Sequence, residues 1–194
     1  MLSVVIPTHD SERGLLPTLA ALVPGAVAGI VREVIVTDAG SSDASAGIAD
    51  GAGCRVLVAS GPRGARLKAA ADAAHGPWLL FLQPGSVPDA TWIDETRRFI
   101  DEATLRGRAD TYAAAFRRVP ASFRPTLIEA LALLRSALGA RPHASQGLLI
   151  TKTFYHQIGG HPRDGDTPER DLIRRLGRRR VVLLRAGAMD QTDT

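Results

Sequence analysis

A single cysteine, Cys54, in 194 residues excludes an internal disulfide and any cysteine-based metal centre. Lysine is almost missing: Lys68 and Lys152 are the only two, and the remaining basic residues are arginines. With so much Ala and Gly beside them, this pattern reads first as compositional bias and second as an anion-selective surface. The net charge is only +4, so the whole chain lacks the character of a nucleic-acid binder and no such partner is expected. No run of about 18 apolar residues occurs, which predicts no membrane span. The N-terminus enters a strand at once, without a basic region or a cleavage site, so no signal peptide is expected and the cytoplasm is the default location. The five histidines, His9, His75, His143, His156 and His161, show no metalloprotease spacing and read as surface or loop residues. There is no P-loop and no internal repeat.

What remains is ordinary globular composition, 45% hydrophobic and 23% charged, at a length that suits one domain with a sizeable core. "LSVVIPT" is a short β-branched run that Pro7 ends. "ERGLLPTLAALVPG" carries Leu15, Leu19 and Leu22 at helical spacing and stops at Pro24-Gly25. "REVIVTD", "CRVLVAS" and "PWLLFL" read as further strands, separated by Gly-containing turns that enter helices. The strands are too uniformly apolar to face water on one side. The pattern is therefore α/β, with a mostly parallel central sheet and helices on both faces. The later chain reads as the helix "DATWIDETRRFIDEATLRG", the strand "DTYAAAFRRVP" and the amphipathic helix "RPTLIEALALLRSALGA". "QGLLITKTFYHQIGG" then passes from strand to short helix. "TPERDLIRRLGRRR" is a helix, with Thr167 or Asp166 as cap and Pro168 in its first turn, and "VVLL" is a short final strand. Trp78 and Trp92 read as core or strand-end packing. The late basic run Arg174 to Arg180 is a solvated helix end or an attractor for anions.

In open parallel sheets, ligands sit beyond the carboxyl ends of the strands. The candidates are therefore Pro7, Thr8, His9, Asp10 and Glu12; then Asp38, Gly40, Ser41 and Asp43; then Gly61, Arg63 and Arg66; then Gln83 to Ser86. A post-strand acid accepts a hydrogen bond from a base edge or ribose hydroxyl, and a Gly/Ser turn lets the backbone approach a ligand. Asp43 serves equally well as a helix cap.

The order "SVVIPTHDSERGLLPTLAAL", "EVIVTDAGSSDAS", "GPRGARLKAAADAAHGPWLLFL", "QGLLITKTFYHQIGGHP" and "ERDLIRRL" resembles the family 2 glycosyltransferases, over Leu2 to about Leu184. It is most similar to short bacterial members without membrane spans, which act in arsenosugar or cell-wall sugar transfer. The resemblance implies the GT-A fold and an inverting transfer from a nucleotide-sugar, usually a UDP-sugar, to an unidentified acceptor. It implies one domain over residues 1–194, with a nucleotide-binding half (1–88) and an acceptor and catalytic half (89–194). Pro7 and Thr8 match the first nucleotide loop, Asp38 the nucleoside-binding acid, and Gly40-Ser41-Ser42-Asp43 the family's Gly-Ser-Thr-Asp turn. Gly159 and Gly160 match glycines near acceptor and sugar, and Glu169 the catalytic base, with Asp166 and Asp171 as neighbours able to take that role.

Departures fall at the metal motif. Where the family carries Asp-x-Asp after the fourth strand, this chain has Gln83 and Gly85. Its helix asparagine is Lys68 here, the following glycine is Ala70, its Asn-Glu pair aligns with Asp10-Ser11, and its Gly-Asp before "QGL" is Ala144-Ser145. Hard cations want carboxylate oxygens, so no Mg²⁺ or Mn²⁺ cofactor is expected, with Lys68, Arg63 and Arg66 as substitute cations. A degenerate, non-catalytic domain that binds a nucleotide or a partner protein is the competing expectation. A sugar nucleotidyltransferase is a weaker one, since "GPRGARLK" follows the third strand and not the first. The leucine-rich face of "TLIEALALLRSALGA" suits core packing, a homodimer or peripheral membrane contact.

Overall fold

The structure is a computed structural model that describes residues 1–119 and 146–191. The expected helix "RPTLIEALALLRSALGA", His143 and the Ala144-Ser145 position lie outside them.

Eight strands form one sheet in the order β3-β2-β1-β4-β7-β6-β8-β5. The strands are β1 (Leu2–Thr8), β2 (Val31–Asp38), β3 (Arg55–Val58), β4 (Trp78–Phe81), β5 (Ser86–Pro88), β6 (Ala113–Val119), β7 (Leu148–Thr151) and β8 (Val181–Asp190). The first four run parallel. β7 is antiparallel to β4 and β6, and β5 is antiparallel to β8. The sheet is thus mostly parallel, and strand order reverses between β1 and β4, which opens a crevice at their carboxyl ends.

The period of two along β1 assigns the two faces. Leu2, Val4 and Ile6 point into a core with Leu15, Leu19 and Leu22 of α1 (Glu12–Val27), Ala49 of α2 (Ser45–Gly51), and Trp92 and Phe99 of α4 (Trp92–Leu105). Val5 points the other way, to Leu67 and Ala70 of α3 (Arg63–Ala73), Phe154 and Tyr155 of α5 (Lys152–Gln157), and Leu172 and Leu176 of α6 (Pro168–Leu176). Helices cover both faces, as the uniformly apolar strands require.

Several boundaries differ from the sequence expectation. Pro7 lies inside β1, not at its end, because β4 pairs only as far as Val5 and asks for no N–H at Pro7. α1 runs three residues beyond Pro24, which it contains along with Pro17. Thr167 is the N-cap of α6 but makes no side-chain capping bond. β5 has no counterpart among the expected strands, and the last strand extends through Asp190 well past "VVLL".

Candidate active site

The carboxyl ends of β1 and β2 are interlocked by acids. Asp38, 2% exposed, accepts from Thr8 Oγ1 at 2.8 Å, Gly40 N at 2.9 Å and Ser41 N at 2.7 Å, as well as from the Ser41 hydroxyl. Burial pushes its carboxyl up, but the bonds from Ser41, Thr8 and Gly40 outweigh that and hold it below the usual carboxylate range. These four bonds fill the acceptor capacity of a carboxylate. A nucleoside at Asp38 must therefore displace a donor, most readily the Ser41 hydroxyl.

Asp10 has a left-handed backbone (φ 46) and accepts from Ser42 N at 2.7 Å and Asp43 N at 3.3 Å. The bond from the Ser42 backbone leads in lowering its pKa. Asp43 reciprocates across the two loops, accepting from Glu12 N at 3.0 Å and from Ser45 N at 2.9 Å. Glu12 accepts from Ala44 N at 3.2 Å, a role its shifted place in the sequence did not suggest. Asp43 is a structural acid at the starts of α1 and α2.

The start of α3 and the turn after β4 meet the start of α6. Glu169, in the first turn of α6, accepts from Arg63 Nε at 2.6 Å and from Gln83 Nε2 at 3.0 Å. Arg63 Nη2 also donates to Gln83 Oε1, which closes a triangle of three side chains. Burial pushes the Glu169 carboxyl up, but the Arg63 charge and these bonds prevail and leave it below its ordinary value. The Glu169 side chain is 14% exposed and that of Arg63 34%. Pairing within this site was not legible in sequence, because Arg63 and Glu169 lie 106 positions apart.

Arg66 and Lys68 follow Arg63 on α3 but do different work. Arg66, 6% exposed, donates to Thr37 O at 2.8 Å and to Thr8 O at 3.4 Å, tying together the ends of β1 and β2. Its Nε is buried without a hydrogen-bond partner. Burial, then the nearby Arg63 charge, lowers its pKa, so the two guanidinium groups repel one another. Lys68 Nζ donates to Gly159 O at 3.3 Å. Gly159 and Gly160 (φ 85 and 65) end α5, and a Cβ on Gly160 would meet the Tyr155 ring at 2.8 Å.

Two expectations change here. Gly85 is enclosed: its N–H donates to Gly14 O at 2.8 Å and Thr18 Oγ1 at 2.9 Å, and its carbonyl accepts from Gln191 N at 2.9 Å. It packs β5 against α1 and offers the crevice neither backbone group. His161 is no surface residue. It is 1% exposed, and its ring Nδ1 lies 2.9 Å from Tyr155 Oη, which also accepts from His161 N at 3.0 Å. Burial lowers the imidazole to about 4, against the raising influence of Glu169 and with smaller lowering by Arg175 and Arg63. A histidine between paired glycines and a proline gave no burial signal in the sequence. His9, His75 and His156 are exposed, as expected.

Residues 3–135 match the family model described as glycosyl transferase family 2. No curated protein matches the chain. Among solved structures, S. aureus TarS 1-349 in complex with UDP-GlcNAc superimposes with a TM-score of 0.68 at 17% identity, over 100% of this chain and 59% of that one. Glucosyl-3-phosphoglycerate synthase from Mycobacterium tuberculosis, in complex with Mn²⁺, UDP and glucosyl-3-phosphoglycerate, gives 0.67 at 20%, over 100% and 73%. The chain thus spans less than two thirds of TarS 1-349. These likenesses show the fold, which is GT-A.

The expectation of no metal cofactor is corrected by the second of these structures. A neighbour of this fold holds Mn²⁺ together with UDP, so the missing Asp-x-Asp was no sufficient ground for expecting none. The side chains around Gln83 do not themselves fit a carboxylate-held ion: its carbonyl oxygen is engaged by a guanidinium. Among the described residues no group of three or more His, Cys, Asp or Glu could hold one.

Proposed function

Because the chain belongs to glycosyl transferase family 2, we propose that it moves a sugar from a UDP-sugar to an acceptor hydroxyl with inversion, using Glu169 as the base. One observation carries this reading: the α6 carboxylate stands beside the crevice at the carboxyl ends of β1 and β4, in contact with the first residue of α3 and with the turn after β4. In the proposed step the acceptor oxygen attacks the anomeric carbon from the face opposite the diphosphate. Its proton passes to Glu169, the bond from that carbon to the phosphate oxygen breaks, and the electron pair leaves with UDP. The carboxyl ends of β1 and β2 and the loops after them, Pro7, Thr8, Asp10, Asp38, Gly40 and Ser41, form the nucleoside end. Arg63, Arg66 and Gln83 line the way to the diphosphate, and Lys68 with Gly159 and Gly160 the sugar and acceptor side. Cationic and backbone donors here stabilise charge that develops on the leaving group. Residues 1–88 serve as the nucleotide half and 89–194 as the acceptor half of a single domain.

The test is UDP release from a panel of UDP-sugars, compared between the wild type and Glu169→Gln. The account expects turnover to fall by about 10²-fold or more with no loss of UDP binding. Unchanged turnover removes Glu169 from the chemistry. The non-catalytic alternative has one observation in its favour, the carboxylate already held by Arg63 and Gln83. Donor binding without UDP release from any member of the panel would support it.

A further inference from the structure

Glu169, as found here, is a poor base. Its Oε1 accepts from both Arg63 and Gln83, and the Arg63 charge favours the ionised form. Arg66 carries like charge near Arg63, offset in part by Asp38, and has a buried Nε without a partner. A diphosphate beside the two guanidinium groups would relieve that repulsion and offer Arg63 a bidentate partner in place of its single Nε bond to Glu169. Arg63 is only partly buried, at the first position of α3, so its long side chain has room to turn.

We infer that Arg63 is a positioning residue that exchanges partners: it pairs with Glu169 and Gln83 in the empty site and turns to the diphosphate when the donor binds, which frees Glu169 for the acceptor. The inference rests on the sugar-nucleotide reading above and adds order to it. The base is masked until donor arrives, so acceptor or water is not activated in an empty site. The coupling is reciprocal, so the Arg63–Glu169 pair must also oppose donor binding.

That reciprocity gives the test. UDP and UDP-glucose are titrated calorimetrically, with Mn²⁺ present throughout, into the wild type, Glu169→Gln, Arg63→Gln and the double variant, with melting curves to establish that each is folded. Glu169→Gln releases Arg63 and is expected to tighten UDP binding by about three- to tenfold. In the Arg63→Gln background the same change is expected to have no effect, and Arg63→Gln alone is expected to weaken binding. Equal UDP affinity in wild type and Glu169→Gln would overturn the inference. So would the same tightening in both backgrounds, which would mean that Glu169 repels the phosphate directly. If Arg63→Gln does not fold, Arg63→Lys takes its place. Its single ammonium cannot hold Glu169 and Gln83 as the fork does, so the coupling should shrink, and undiminished coupling contradicts the exchange. A wild type that binds neither ligand removes the sugar-nucleotide reading itself, whereas binding without coupling removes only the exchange.

Discussion

His161 is where residue-scale electrostatics makes a direct prediction. Burial holds the imidazole neutral, with its pKa lowered from 6.5 to about 4. Between those values the unfolded chain binds more protons than the folded one, so stability is full above about pH 6.5 and declines as pH falls toward 4. The loss over that window is about 3 kcal/mol at most. Melting temperature against pH should therefore slope in the wild type between 6.5 and 4, and His161→Phe should flatten the slope whatever it does to the absolute level. An unchanged slope would contradict the buried neutral state. Cys54 gives the opposite lesson: burial pushes its thiol up to about 11, and it acts as a small apolar residue, as a lone cysteine in the sequence suggests. Residue identity alone located Asp38 and Asp43. It could not reveal that Thr8 completes the saturation of Asp38 or that Glu12 is exchanged across the loops, because those partners stand about 30 positions away.

At the scale of elements, the site depends on how α3 approaches the segment before α6. Gly64 permits it: a Cβ there would collide with the Pro162 carbonyl oxygen and press on Pro168. Backbone cannot move aside cheaply, so Gly64→Ala is expected to cost about 1–3 kcal/mol. It should also lower turnover, since it shifts the starts of α3 and α6, and with them Arg63 and Glu169, away from their places at the crevice. Thermal melts and UDP-release assays on the variant check both, and a fully stable, fully active protein would contradict the packing account. Gly25 plays the same part between α1 and Trp92, whose ring a Cβ would meet at 2.5 Å. Gly25→Ala should lower stability by about 1–3 kcal/mol while leaving UDP affinity unchanged. Which elements exist was largely legible, because the β-branched runs and the Leu15, Leu19, Leu22 spacing specify local structure that the core then uses. β5 and the later part of β8 were not. "RAGAMD" has little strand propensity, and it is extended because β6 and β5 pair with it.

For the whole molecule, chain order was more informative than any single motif. Four parallel strands, with acids, glycines and arginines beyond their carboxyl ends, already pointed to that end of the sheet as the candidate site, and membership of glycosyl transferase family 2 follows from the match over residues 3–135. Metal use could not be read in the same way, because it is a property of the assembled site with its ligand and not of one turn. Among the described residues no helix is long and apolar enough to cross a membrane. The measurement that tests the central claim most directly is calorimetric titration of UDP and a panel of UDP-sugars into the purified wild type, in EDTA and then with Mn²⁺. The account predicts saturable binding of UDP and of at least one UDP-sugar in one of these conditions. No binding of either in both conditions would contradict it.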